Sequence, residues 1–409
     1  MSYAYCAISR RPSSFHKREF SSFASYHNSL TLTVFLAVAL SGGAAMRRSM
    51  FALVLILMLS AFPVVAFSQE KGGDDETGPY QVIAKWPEPF DRPGIVPGVP
   101  SVPGKASAAS SSGVFAETPN RIFLGNRLGE MPTPATPKMR NAIVIVDGSG
   151  KLLEAWTQHD RLFQDGRGPH KIKISPYDPQ HYVWVIDDTR HQILKFTNDG
   201  KELVMKLGET GVPGNDEKHF ARPTDVAWLP DGTFFVTDGY VNTRVVKFDK
   251  NGKFLMTWGT KGNGPGQFNL PHSVDIDRQR RVYVADRANS RIQVFDENGK
   301  FLDQWPNIRQ PFHIMITPDQ HMWVTDGVTS KFLEFDLNGK LLYSWGTYGS
   351  FPGAFWGVHQ FSVDAEGNLY IAEDNGGRYQ KYRPAPGSDR AKLIAPPAAL
   401  MPKATAPSR

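Results

Sequence analysis

Cysteine is all but missing from this sequence, with one residue, Cys6, in 409. No disulfide framework can hold the fold, so stability must come from a large buried core. Helical periodicity is missing too, and with it the patterns that ankyrin or leucine-rich repeats would need. An excess of one charge is missing once the start of the chain is set aside. The formal net charge is +6, but six basic residues and one acidic residue precede position 69, which leaves +1 for the remainder. That balance gives no ground for a nucleic-acid surface. Long apolar runs are confined to the beginning. Residues 32–40 are too few to span a bilayer, and 51–65 follow Met46-Arg47-Arg48 and end in Ala66-Phe67-Ser68. A basic start, an apolar middle and a small-residue end read as a signal peptide over 46–68, with 1–45 an upstream extension. Cleavage near Ser68 and export to the periplasm or beyond are expected, with no membrane span in the mature chain; an uncleaved anchor is the alternative.

What is present is a repeat. The Gly-Lys pair occurs at 150, 200, 252, 299 and 339, at intervals of 50, 52, 47 and 40 residues. Each pair follows an apolar run of period two and precedes a strand-like run that often ends in tryptophan: Trp156, Trp258, Trp305, Trp345. About four short strands per unit at this period predict an all-β fold, a six-bladed β-propeller over 113–384. The last unit stops at Tyr382 without a fourth strand, and the orphan run 80–86 is predicted to supply it and close the ring. Residues 69–112 are read as that closing strand plus a Pro, Gly and Ser-rich linker, and 385–409 as a disordered tail.

In such a ring, equivalent strand starts face the central channel. That position reads His170, Thr224, His272, His313 and His359. Several neutral imidazoles on a common axis suit a zinc ion with coordination to spare, although repeats also copy residues for structural reasons. Tyr240, Arg287 and Arg127 follow the acidic or Asn residue that ends the second strand of their units, which brings a phenol and two guanidiniums to the same end. Such a floor suits a small ligand carrying a carboxylate.

Residues 238–244 (DGYVNTR), 266–273 (GQFNLPHS) and 285–291 (ADRANSR) closely resemble stretches of the peptidyl-α-hydroxyglycine α-amidating lyase family, which are six-bladed NHL-type propellers. The resemblance covers most of 113–382 and marks this chain as a divergent bacterial-type member. It implies His170, His272 and His359 as zinc ligands, Tyr240 as catalytic tyrosine, and Arg287 and Arg127 as substrate arginines. It also implies a structural calcium, held partly by an aspartate after the third histidine and by a carbonyl two residues after the first. Here Gln360 stands at the aspartate position, so only the Ile172 carbonyl is matched. His313 has no family counterpart and is open to roles as fourth ligand, supporting group or lining residue.

The implied activity is zinc-dependent cleavage of a carbinolamide, N–CH(OH)–COO⁻, to an amide and glyoxylate, with a carboxylate-bearing or peptide substrate. Two other readings stand beside it. One is a non-catalytic exported propeller that binds a peptide, protein or cell-wall ligand across its face. The other is a calcium-dependent hydrolase, which the histidine-rich ring disfavours.

Overall fold

The structure, a computed structural model, describes residues 77–90 and 109–395 apart from 135 and 137. The expected signal segment, most of the linker and the last residues of the tail lie outside them. Six four-stranded antiparallel sheets form the blades, joined by one small parallel pair at Thr260–Lys261 and Gln267–Phe268. Their innermost strands are Ala109–Thr118, Lys171–Ile174, Pro223–Trp228, Pro271–Ile276, Pro311–Ile316 and Val358–Val363, for blades 1 to 6. Blade 6 is completed from the other end of the described chain: Tyr80–Ile83 pairs antiparallel with Arg378–Pro384. The predicted architecture and its closure are those observed. Among the described residues no helix is long and apolar enough to cross a membrane.

Burial explains the alternation. Second strands such as Val183–Asp187 and Phe234–Asp238 are buried throughout because a neighbouring blade covers each face, while outermost strands such as Phe254–Trp258 alternate between partly buried and exposed. Blades are locked to one another by the repeat motif itself. The turn glycines adopt positive φ, and each packs face-on against the last large side chain of the preceding blade. A Cβ added at Gly200 would lie 2.1 Å from the Trp156 ring, at Gly299 2.7 Å from Trp258, and at Gly339 2.6 Å from Trp305. A Cβ added at Gly78 would lie 2.6 Å from Trp345, and one at Gly150 2.8 Å from Trp86, so the closing segment completes the circuit.

Two boundaries differ from the sequence reading. The first blade begins at Ala109, and Ser110, Ser111 and Ser112, read as linker, are buried strand residues. The tail is ordered as far as 395: Ile394 is fully buried and its N–H donates to the Tyr80 hydroxyl at 2.9 Å.

Candidate metal centre

Each innermost strand, except that of blade 2, opens with a register irregularity, which leaves one residue without a ladder partner. Those residues are Ser112, Thr224, His272, Phe312 and His359. In blade 2 the place belongs to His170, whose N–H donates to the Ile186 carbonyl at 2.7 Å just before the strand begins. The channel ring is therefore Ser112, His170, Thr224, His272, Phe312, His359. His313 is not on it. It sits one residue further along, in the next layer, and its place in the ring is taken by Phe312.

Three imidazoles of the ring converge. The ligand atoms of His170, His272 and His359 lie within 4.8 Å of one another, and all three side chains are buried. Every Nδ1 is committed to a ring carbonyl of the next blade holding one: His170 to Thr224 at 2.9 Å, His272 to Phe312 at 2.6 Å, His359 to Ser112 at 3.0 Å. A carbonyl only accepts, so Nδ1 carries the proton and Nε2 presents its lone pair. Burial, followed by mutual repulsion and nearby cations, drives the His170 and His272 pKa values well below the usual range. His359 is pushed down to about 3, again chiefly by burial. Neutral Nε2 atoms of His359 and His170 thus face each other at 3.1 Å with no proton to share. A cation between them resolves that opposition. Nitrogens held by a tetrahedral zinc at 2.0–2.1 Å are about 3.3 Å apart, so the donor set fits such an ion.

Around the ring stand the predicted polar groups. The Tyr240 hydroxyl lies 3.2 Å from His170 Nε2 and 3.0 Å from His272 Nε2. Burial raises its pKa, and Arg287 leads the groups that oppose the rise. The Arg287 guanidinium lies 3.9 Å over the Phe312 ring and, among the described residues, makes no ion pair. Arg127 is different. It is buried and donates to Asp188 Oδ1 at 2.6 Å and to the Gly168 carbonyl at 3.1 Å. Sequence reasoning missed its counter-ions. Asp188 and Asp374 follow the acidic residue ending their second strands, in register with Arg127 and Arg287. Asp188 also accepts from Arg222, whose guanidinium covers the Tyr240 ring at 4.4 Å. Despite the cost of burial, Arg127 and Arg222 hold Asp188 down at about 2. Asp374 accepts from Ser110 and lies 3.7 Å from Arg167.

The other singled-out motif residues serve the scaffold. Asp286 accepts from Arg291 Nε at 2.8 Å, and that guanidinium also holds the Gly264 and Gln267 carbonyls of the loop before blade 4. Asp238 and Arg244 repeat the pairing in blade 3 at 3.0 Å.

A family model described as a 6-bladed β-propeller matches residues 213–304. The chain is 39% identical over 160 residues to peptidyl-glycine α-amidating monooxygenase B of Xenopus laevis, 37% of this chain and 17% of that protein. It is 42% identical over 124 residues to a probable peptidyl-α-hydroxyglycine α-amidating lyase of Caenorhabditis elegans, 30% of this chain and 35% of that one. Over these stretches the chain is similar to the amidating lyases. The human NHL repeat-containing protein 3 is also similar, 30% identical over 176 residues, 41% of this chain and 46% of that protein. The match thus spans less than half the length of each of these relatives. What the chain shares with them is the NHL-type propeller.

Proposed function

We propose that the protein is a zinc-dependent carbon–nitrogen lyase that cleaves a carbinolamide bearing a carboxylate, as the names of its relatives suggest. One observation carries the reading: three buried imidazoles, each fixed by a carbonyl so that Nε2 points inward, meet beside Tyr240 and an Arg287 that makes no ion pair among the described residues. His170, His272 and His359 would hold the ion, and three neutral imidazoles suit zinc. When bound it supplies Lewis-acid polarisation of the substrate hydroxyl.

The chain's own residues supply the rest. Arg287 is the guanidinium available to a carboxylate, which it would take bidentately while its other face stays on Phe312. Arg127, already held by Asp188 and Gly168, adds positive charge to the wall and orders it. Tyr240 sits within reach of the ring nitrogens, where a substrate hydroxyl would lie, and accepts its proton. Charge brought by the ion and by Arg287 must offset the burial that raises the phenol's pKa. As the hydroxyl proton leaves, a carbonyl forms at that carbon, the C–N bond breaks and the departing nitrogen takes a proton. An amide and glyoxylate result, with atoms and charge balanced. Export remains part of the reading, on the run at 46–68, and mass spectrometry of the exported protein should find it starting near Ser68.

The test is glyoxylate release from an α-hydroxyglycine-extended peptide, together with elemental analysis. About one zinc per chain and activity that both vanish in His272→Ala are expected. A protein that holds no metal would sink the reading in favour of a binding propeller, and one that holds zinc without releasing glyoxylate would sink the assigned substrate.

A further inference from the structure

Directly beneath the imidazoles, the next residue of each innermost strand forms a second layer: Gly113, Lys171, Asp225, Ser273, His313 and Gln360. Its five side chains are all buried. Below them the channel widens into a cavity of about 140 Å³ lined in part by Lys173, Asp275, His313 and Gln360. This is where the family likeness implies calcium, on the Ile172 carbonyl and an acidic residue at 360.

The residues present do not fit that ion. Gln360 Nε2 donates to the Ile172 carbonyl at 2.7 Å, and its carboxamide oxygen accepts from the Ile172 N–H at 3.2 Å and the Val114 N–H at 3.3 Å. Calcium asks for six to eight oxygens, several of them anionic. The one carboxylate of the layer, Asp225, is already engaged by Lys171 at 2.8 Å, by Lys173 at 3.2 Å and by the Ser273 hydroxyl. A fixed ammonium in the same layer repels a second cation.

The bonds instead reach across the ring. A Cβ at Gly113 would lie 3.2 Å from the Ile172 side chain and 3.3 Å from its nitrogen, so glycine lets blade 1 lie close against blade 2 where Gln360 of blade 6 grips it. Lys171 of blade 2 bonds to Asp225 of blade 3, to the His272 carbonyl of blade 4 at 3.3 Å and to His313 Nδ1 of blade 5 at 3.2 Å. We infer that an internal clamp stands in this chain where the family likeness implies calcium. The Gln360 carboxamide and the Lys171 ammonium tie all six innermost strands together in one layer, and the chain needs only the ion of the histidine ring.

The inference does not rest on the lyase reading, since zinc and calcium are separate results of one elemental analysis. Full-length protein prepared with calcium in the buffer should contain none, and its melting temperature should not change with added calcium or a calcium-selective chelator. Roughly one calcium per chain, or a melting temperature that falls on chelation, would overturn the clamp. Gln360→Asp should acquire a calcium-dependent rise of roughly 2–4 °C or more. A folded Gln360→Asp that ignores calcium would show that residue 360 is not what excludes the ion.

Discussion

One residue along the innermost strands separates His170 from Lys171, His272 from Ser273 and His359 from Gln360, yet the two layers treat charge in opposite ways. In the upper layer every Nδ1 is bonded to a carbonyl, and the three Nε2 atoms converge beside the Tyr240 hydroxyl, a donor set that would accept a cation from outside. In the lower layer the cation is a side chain, and donors and acceptors close on one another. Burial is equal in both. What distinguishes the layers is therefore not depth but how far the lone pairs are matched by donors: one hydroxyl, that of Tyr240, stands before the Nε2 atoms of His170 and His272, while His359 Nε2 faces the His170 imidazole.

That contrast can be broken at either layer. Replacing His272 by alanine should remove the ion and cost at least about a thousandfold in glyoxylate release, read by elemental analysis and steady-state rates. Lys171→Met should act on the lower layer. It leaves Asp225 buried without its nearest counter-charge and should cost about 3–5 kcal/mol in denaturant unfolding while zinc is retained. Tyr240→Phe should keep both zinc and stability and lower the rate about 10²-fold. A loss of metal in that variant would instead make the phenol a ligand.

The smallest effect sharpens the comparison through pH. His170, His272 and His313 titrate well below the ordinary histidine range, in each case with burial as the leading cause. Unfolding therefore takes up protons once the pH nears the unfolded value of about 6.5, and stability falls as pH falls. Each such histidine should remove about 0.7 kcal/mol between pH 7 and pH 6 in metal-free protein. Added zinc should protect the upper-layer residues and leave the His313 share in place.

Most of the architecture was legible because Gly-Lys turns and terminal tryptophans are what lock one blade to the next. Even Trp86 at the end of the closing run plays the part that Trp156 and Trp258 play elsewhere. The histidine ring was legible in three of its members, and His313 was placed wrongly because repeat counting alone does not see the extra residue at the strand start. Aligning on the prolines at 169, 223, 271 and 311 would have put Phe312 in the ring, since His170, Thr224 and His272 each follow one directly. Asp188 and Asp374 occupy a repeat position that had been read only for its arginines and for the neighbouring Tyr240. Arg222 gave no signal, because its counterparts are Leu270 and Gln310 and its contact with Tyr240 exists only in three dimensions. The buried serines at 110–112 and the buried Ile394 look like linker and tail by composition, and only tertiary packing makes them core.

Blade 6 is the one blade stitched from two distant parts of the described chain, and its seam with blade 1 is also where the His359 imidazole hangs from the Ser112 carbonyl. Trimming the chain back past Ile83 would touch none of the three histidines, yet it would strip the outermost strand from the sheet that carries His359. The seating of that imidazole thus leans on a four-residue ribbon at the rim, the farthest strand of its blade from the channel.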